Sequence, residues 1–250
     1  MSDSIQYLSN LTVLDFYRPS NLYGTLPDSI GNLTNLVILS FWPAHLSGTI
    51  PSTIANMKSL KVLKLGQNQF SGTIPSTLGE LTYLTYIDFG DNSLTGTIPE
   101  YFGNFMLLQE LWLESNGLTG TIPKSFSNLT SLLLLRLDNN AFEGTIFDIV
   151  LPLISLTNLY FSHNYFEGSI PSDIQYLSRL LSLDASYNKL TGTLPPEIGS
   201  LTSIYYLNVA SNYLNGTIPP VLLNFYQLDW IDVSRNSIIG YIPKLTINDT

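Results

Sequence analysis

Two carboxylates on either side of a tryptophan are the first residues of this chain that could do chemistry. Glu110 and Glu114 flank Trp112, and paired carboxylates beside an aromatic ring can cleave a glycosidic bond. All three residues lie on one short predicted strand, however, and an open curved sheet gives them no deep cleft. The two histidines, His45 and His163, lie several repeats apart and cannot share a metal ion. We therefore expect no enzymatic activity, no metal site and no cofactor.

The composition is that of a folded, acidic chain. Apolar residues make up 44% of the 250 residues and charged residues only 12%, which argues against disorder. The net charge is −9 with ten Lys and Arg, so we expect no nucleic-acid binding and a weak preference for a partner with basic groups. The absence of cysteine excludes disulfides, thiolate metal sites and a cysteine nucleophile. No secretion signal and no apolar run of about 18 residues occur, so we expect no membrane insertion of this chain.

A repeat of 24 residues organises the sequence. Glycines recur at that interval, at Gly24, Gly48, Gly72, Gly96, Gly120, Gly144, Gly168, Gly192, Gly216 and Gly240. One clean copy is LTYLTYIDFGDNSLTGTIPEYFGN, residues 81–104, with apolar residues at its positions 1, 4, 7, 9, 14, 18 and 22. The alternation around positions 7 and 9 predicts a short strand. One repeat cannot bury its apolar face alone, so the copies must stack into a continuous core.

Position 12 of the repeat is an asparagine in eight copies. A buried amide carries both donors and an acceptor, and it can satisfy backbone groups where the chain leaves the strand. We predict a structural ladder of these residues: Asn68, Asn92, Asn116, Asn140, Asn164, Asn188, Asn212 and Asn236.

The pattern LxxLxxLxLxxNxLxGxIPxxxGx resembles the plant-type extracellular leucine-rich repeat. This repeat is found in ectodomains of receptor-like kinases and receptor-like proteins and in polygalacturonase-inhibiting proteins. The resemblance implies an α/β repeat solenoid, a right-handed superhelix with a concave parallel β-sheet, a second short β-strand per repeat and 3-10 or helical turns on the convex side. It also implies an extracellular or cell-surface location.

We read residues 1–250 as a single domain of about ten 24-residue repeats that begin at residue 8. Residues 1–7 read as the tail of a preceding partial repeat. The cysteine-paired caps of the resembled family are missing, so we also expect self-association through uncapped ends.

The outward positions of the strand can carry function, because the core does not need them. All three tryptophans fall there, and exposed aromatic residues among charges are typical of interfaces. We predict that this face binds a protein or peptide, in signalling or defence or as an inhibitor of a polygalacturonase-type enzyme. The predicted partner-binding residues are Trp42, Lys64, Tyr86, Asp88, Glu110, Trp112, Glu114, Arg136, Asp138, Tyr160, His163, Asp184, Tyr206, Trp230 and Asp232.

Two further patterns lie outside this face. Five N-x-S/T sequons make the chain a candidate glycoprotein, at Asn10, Asn32, Asn128, Asn215 and Asn248. The threonines of the repeated TGT segment form a column at strand spacing, which resembles the surface of ice-binding solenoids. Ice binding is therefore an alternative function, although β-branched threonine also suits any exposed strand.

Overall fold

Ten parallel strands form one sheet along the chain. The computed structural model describes residues 3–19, 21–224 and 226–240, apart from the side chains of residues 223 and 224. Each strand pairs with the equivalent strand of the next repeat, so that Leu111 lies beside Leu135. This order confirms the predicted parallel sheet, whose outward side chains form the concave face. The strands are Val13–Tyr17, Ile38–Trp42, Val62–Lys64, Tyr86–Asp88, Glu110–Trp112, Leu134–Arg136, Asn158–Tyr160, Ser182–Asp184, Tyr206–Asn208 and Trp230–Asp232.

The segments with the repeated glycine form a second parallel sheet, which confirms the predicted second strand of each repeat. Each of these glycines has a positive φ, +82° at Gly96 for example. A Cβ atom on Gly96 would lie 3.0 Å from Cγ2 of Thr73 in the preceding repeat. Both the backbone conformation and this close contact therefore favour glycine. The strands are Tyr23–Thr25, His45–Thr49, Gln69–Gly72, Ser93–Thr97, Gly117–Thr121, Ala141–Thr145, Tyr165–Ser169, Lys189–Thr193 and Tyr213–Asn215.

Short helical turns connect the second sheet to the next repeat. In the repeat that contains Phe147, phenylalanine stands where the other repeats have proline. Proline disfavours helical backbone in the residue before it, whereas Ile146 is free to adopt helical angles (φ −103°, ψ −33°) and precedes the α-helix Phe147–Val150. The other turns are the 3-10 helices Asp3–Tyr7, Asp28–Asn32, Ser52–Asn56, Ser76–Glu80, Glu100–Asn104, Lys124–Asn128, Ser172–Tyr176, Pro196–Ser200 and Pro220–Asn224.

Leucine, isoleucine and phenylalanine side chains fill the space enclosed by the two sheets and the helical turns. The rings of Phe102 and Phe126, one repeat apart, stack with centroids 6.0 Å apart. Stacking therefore continues the core from repeat to repeat, as the 24-residue apolar period requires. Within the described residues, no helix has the length and apolar character needed to cross a membrane.

The asparagine of each repeat ties its own turn to the preceding one. Asn164 Nδ2 donates to the carbonyl oxygens of Leu137 (2.9 Å), Phe161 (3.2 Å) and Ser162 (3.1 Å). Its Oδ1 accepts the backbone N–H of Phe142 at 2.9 Å. Equivalent bonds occur at the other asparagines of the column. One amide thus satisfies four backbone groups where the chain leaves the strand.

The residue before each of these asparagines has left-handed backbone, with φ +51° at Asp91. This conformation turns the chain out of the strand and places the side chain at the rim of the concave face. Pro43 occupies the same place in the second repeat, and its ring fixes φ at about −65°, which excludes the left-handed conformation. Ala44 then stands where the later repeats have asparagine.

Candidate functional site

A cavity of about 260 Å³ opens on the concave face. The strands from Ile38–Trp42 to Leu134–Arg136 and the segments that follow three of them contribute its residues, because equivalent positions of successive repeats stand side by side. It is lined by Trp42, Lys64, Gln67, Tyr86, Asp88, Gly90, Asp91, Trp112, Glu114 and Arg136.

Two glycines make room for the carboxylates of the cavity. A Cβ atom on Gly66 would lie 2.7 Å from the carboxyl carbon of Asp88, and one on Gly90 would lie 2.7 Å from that of Glu114. Both carboxylates therefore rest on bare backbone of the preceding repeat. As a result Asp88 and Glu114 are each only 6% exposed, although they stand on the outward side of the sheet.

Burial changes the ionisation of both carboxyl groups. It raises the pKa of Glu114 to about 7, against the lowering effect of the nearby Arg136 guanidinium. It also raises the pKa of Asp88 to about 6, although a backbone hydrogen bond from Gly90 (3.0 Å) and the charge of Lys64 oppose this. Each carboxyl group therefore changes its protonation state close to neutral pH, Asp88 at about pH 6 and Glu114 at about pH 7.

Arg136 is held by two carboxylates and two aromatic rings. Its guanidinium lies 3.4 Å from Glu114 Oε1 and 3.1 Å from Asp138 Oδ2. It also faces the rings of Trp112 and Tyr160, 5.2 and 5.4 Å from their centroids. The planar guanidinium can use its edge for carboxylates and its faces for rings, so this cation is fixed in place.

The aromatic walls carry further polar contacts. Lys64 Nζ lies 4.4 Å from the centroid of the Tyr86 ring, a cation–π contact. Trp112 Nε1 donates to Glu110 Oε2 at 3.0 Å, which fixes the indole edge. Burial raises the pKa of Tyr86, so its hydroxyl stays protonated and the ring faces the cavity as a neutral wall.

A second cluster lies further along the concave face. Asp184 Oδ2 accepts hydrogen bonds from the Tyr206 hydroxyl and from Asn208 Nδ2, both at 3.3 Å. The rings of Tyr206 and Trp230 stack, with centroids 6.4 Å apart, and Trp230 is 54% exposed. Burial raises the pKa of the Tyr206 hydroxyl. This cluster presents aromatic surface around one acidic group.

Of the remaining predicted residues, His163 lies at the rim and Asp232 lies in the last strand of the sheet. The rings of His163 and Tyr187 stack with centroids 4.1 Å apart, and Arg235 Nη1 donates to the Tyr187 hydroxyl at 3.2 Å. Hydrogen bonds from the Ser234 hydroxyl and backbone N–H hold the pKa of Asp232 below its usual value. These contacts are separate from the cavity.

The structure brings together most of the predicted face but also adds residues. Seven predicted residues line the cavity, and Glu110 and Asp138 bond to its walls. Gln67 and Asp91 line it too, and neither belongs to the predicted set. Gly66 and Gly90 shape its floor, and their signal was present in the sequence: two successive repeats carry glycine at position 10, before Glu114 takes that position in the next.

The second sheet presents a regular column of small side chains. Thr97, Thr121 and their equivalents in the neighbouring repeats are exposed, each with its methyl group packed against the glycine of the following repeat. The neighbouring column contains Thr95 and Thr119, but also the larger Glu143 and Glu167. The array is therefore regular in one column and interrupted in the other.

Four candidate glycosylation sites are exposed, whereas Asn248 lies outside the described residues. Asn32 Nδ2 donates to Gln6 Oε1 at 2.9 Å, and Asn215 ends a strand of the second sheet. None of the four stands at an outward position of the ten-stranded sheet, so glycans there would leave the cavity open. The four are Asn10, Asn32, Asn128 and Asn215.

The repeat and its fold are shared with known proteins. A family model described as Leucine Rich Repeat matches residues 59–81, 83–105, 107–129, 155–177 and 179–201. A plant ice-binding protein of known structure is 32% identical over 92% of this chain and 74% of that chain, with a TM-score of 0.78. This chain belongs to the leucine-rich-repeat family.

Two receptor ectodomains resemble this leucine-rich-repeat chain closely in structure. The ectodomain of the plant membrane receptor kinase GASSHO1/SCHENGEN3 from Arabidopsis thaliana is 34% identical, with 97% of this chain and 29% of that chain covered and a TM-score of 0.93. The ectodomain of the Arabidopsis receptor kinase HAESA is also 34% identical, with 95% and 40% covered and a TM-score of 0.90. The chain thus spans less than half the length of these ectodomains. No curated protein matches it.

Proposed function

We propose that this leucine-rich-repeat chain is a non-catalytic recognition module that binds a peptide or protein on its concave face. The cavity around Trp112 carries the proposal, since it combines aromatic walls with buried, fixed charges. Central aromatic residues ringed by polar groups typically dominate binding energy. The similar GASSHO1/SCHENGEN3 and HAESA ectodomains are in complex with CASPARIAN STRIP INTEGRITY FACTOR 2 and with an IDA peptide hormone. We also propose that this chain has an extracellular or cell-surface location. Its repeats form a single domain in this proposal.

A selected peptide tests the proposal. Peptides enriched from a random displayed library on the wild-type chain would be synthesised and measured by calorimetry against two variants. Trp112→Ala should weaken binding at least about tenfold, roughly 1.4 kcal/mol, with little change in thermal stability. Tyr165→Ala, which removes an exposed ring from the second sheet, should leave affinity unchanged. Equal affinity for Trp112→Ala, or a selection that yields no binding peptide, would contradict the proposal.

Ice binding is a second candidate, because two observations favour it. The similar plant ice-binding protein is covered over 74% of its length, more than either receptor ectodomain. The second sheet also presents an exposed threonine in successive strands about 4.8 Å apart. A regular, flat array of this kind suits a regular ligand surface better than a peptide.

An ice-recrystallisation assay separates the two candidates. If the threonine column binds ice, micromolar wild-type protein should slow grain growth and Thr121→Lys should abolish the effect. Trp112→Ala, altered on the opposite sheet, should keep full activity in this assay. Normal grain growth with the wild-type chain would remove this candidate and leave peptide recognition untouched.

A further inference from the structure

One acceptor atom of the concave cavity lacks a hydrogen-bond partner although it is buried. Glu114 is 6% exposed, and its Oε2 receives no hydrogen bond. Among the described residues, only Ser211 Oγ shares this condition. Leaving a buried carboxylate oxygen without a donor is unfavourable, and a donor supplied by a ligand would remove the penalty.

The charges around this atom point to the missing donor. Three carboxylates, Asp88, Asp91 and Glu114, and two cations, Lys64 and Arg136, line the cavity. One further positive charge would balance them. Both resident cations already face aromatic rings, which shows that the walls accept positive groups.

We infer that the cavity binds a primary ammonium group, carried by a lysine side chain of the partner, with Glu114 Oε2 as an acceptor for its N–H. The inference deepens the proposed recognition function and rests on it. A guanidinium fits less well, because it needs two parallel acceptors for its fork. Arg136 already takes the other oxygen of Glu114. An ammonium is a compact charge that can use a single free acceptor.

Burial of the two carboxyl groups makes this binding depend on pH. The empty cavity holds the pKa of Glu114 at about 7 and that of Asp88 at about 6. A bound cation favours the ionised carboxylates, so binding releases protons and strengthens as pH rises from 5 to 8. The charges of Lys64, Asp91 and Arg136 act on Asp88, and those of Arg136, Asp138 and Asp88 act on Glu114. Burial raises the pKa of Tyr86, and both carboxylates, together with Glu110, raise it further.

Small amines test the inference on the full chain. The probes are Nα-acetyl-lysine amide, its uncharged analogue Nα-acetyl-norleucine amide, and alaninamide, whose only amine is the α-amine. The indole N–H signal of Trp112, assigned with Trp112→Phe, reports binding by NMR. At pH 8 acetyl-lysine amide should give a saturable shift, and at pH 5 its affinity should be at least about tenfold lower. Acetyl-norleucine amide should give no saturable shift.

Two variants locate the acceptor. Glu114→Gln keeps the shape of the side chain and should weaken acetyl-lysine amide at least about tenfold. Glu143→Gln is the matched control, because it removes an exposed carboxylate from the second sheet, and it should change nothing. Asp88→Asn removes a second negative charge from the cavity and should also weaken binding of acetyl-lysine amide. This variant tests the inference if Glu114→Gln folds poorly.

Several outcomes would overturn the inference. They are equal shifts with acetyl-norleucine amide, full affinity in Glu114→Gln, or binding of alaninamide in preference to acetyl-lysine amide. Selected peptides that bind through Trp112 without needing a lysine would also overturn it, while the proposed function stands. Acetyl-lysine amide that binds in the cavity when no peptide can be selected would instead contradict only the proposed function.

Discussion

A methyl group added at Gly90 should move the Glu114 carboxylate out of the cavity without unfolding the chain. The new Cβ atom would lie 2.7 Å from the carboxyl carbon and 2.8 and 2.9 Å from the two oxygens, so the carboxylate must shift. Gly90 does not have positive φ, and alanine can therefore keep its backbone. The atoms that must move are the far end of a flexible side chain. We expect the carboxylate to swing toward water.

The size of the effect follows from burial and from Coulomb's law. Burial is the main cause that raises the pKa of Glu114 to about 7, from an ordinary value of 4.5. In Gly90→Ala the pKa should fall most of the way back. For a bound ammonium, moving the carboxylate from about 4 to about 6 Å loses about 1.4 kcal/mol at an effective dielectric constant of about 20. That loss is about tenfold in affinity.

Carbon-13 NMR of the Glu114 carboxyl group, titrated from pH 4 to 9, measures the pKa directly and needs no ligand. Glu114→Gln assigns the signal. Gly117→Ala is the control, because it also adds a Cβ atom close to a neighbour, 3.2 Å from Leu94 O, but in the second sheet. A Gly90→Ala protein whose Glu114 still titrates near pH 7 would refute the reasoning. So would a loss of affinity that adds in full to that of Glu114→Gln, since both changes are argued to act through one carboxylate.

Three other predictions concern stability and dynamics. Asn164→Ala leaves the buried Phe142 N–H without its acceptor and should cost about 2–3 kcal/mol in urea denaturation; Asn236→Ala, in a more exposed turn, should cost less, and equal losses would argue against the ladder as a source of stability. Because the folded-state pKa of Glu114 is raised, the folded chain binds more protons than the unfolded chain between about pH 4.5 and 7. The thermal midpoint should therefore rise as pH falls from 8 to 5, and a slope unchanged in Glu114→Gln would contradict this. Amides of the strand Val13–Tyr17, where Val13 is 48% exposed, should exchange hydrogen faster than those of Glu110–Trp112 in a monomeric sample; equal protection would count against fraying at this end.

The fold could be predicted from the sequence because each repeat meets the same physical requirements. At Gly96 the threonine of the preceding repeat leaves little room for a Cβ atom. The four backbone groups around Asn164 need a side-chain amide of the length of asparagine. These requirements return every 24 residues, so they are visible as periodicity. Phe147 departs from this pattern, and its repeat is the only one among the described turns that has an α-helical turn.

The cavity could not be predicted by reading one repeat at a time. Outward positions of a strand are expected to be exposed, yet Asp88, Glu114 and Asp138 are buried. For Asp88 and Glu114 this burial depends on the preceding repeat, because their carboxylates lie against Gly66 and Gly90, whereas Asp138 is paired with Arg136. The relevant pattern therefore runs across the strands, between residues about 24 positions apart, and it contains no regular period to reveal it.

The contrast between the two sheets bears on which candidate function each could serve. A regular surface such as ice is matched by the same side chain in every strand. A partner of irregular shape is matched by side chains that differ from one strand to the next. In the second sheet the column of Thr97 and Thr121 is nearly uniform. In the ten-stranded sheet the central column reads Lys64, Asp88 and Trp112 in three successive strands, with no residue type repeated. The core does not require this variety, because these side chains point away from it. Nor does strand propensity, which would favour β-branched and aromatic residues over a lysine and an aspartate. A partner with one positive group opposite Glu114 would account for it, and such a partner would select side chains strand by strand.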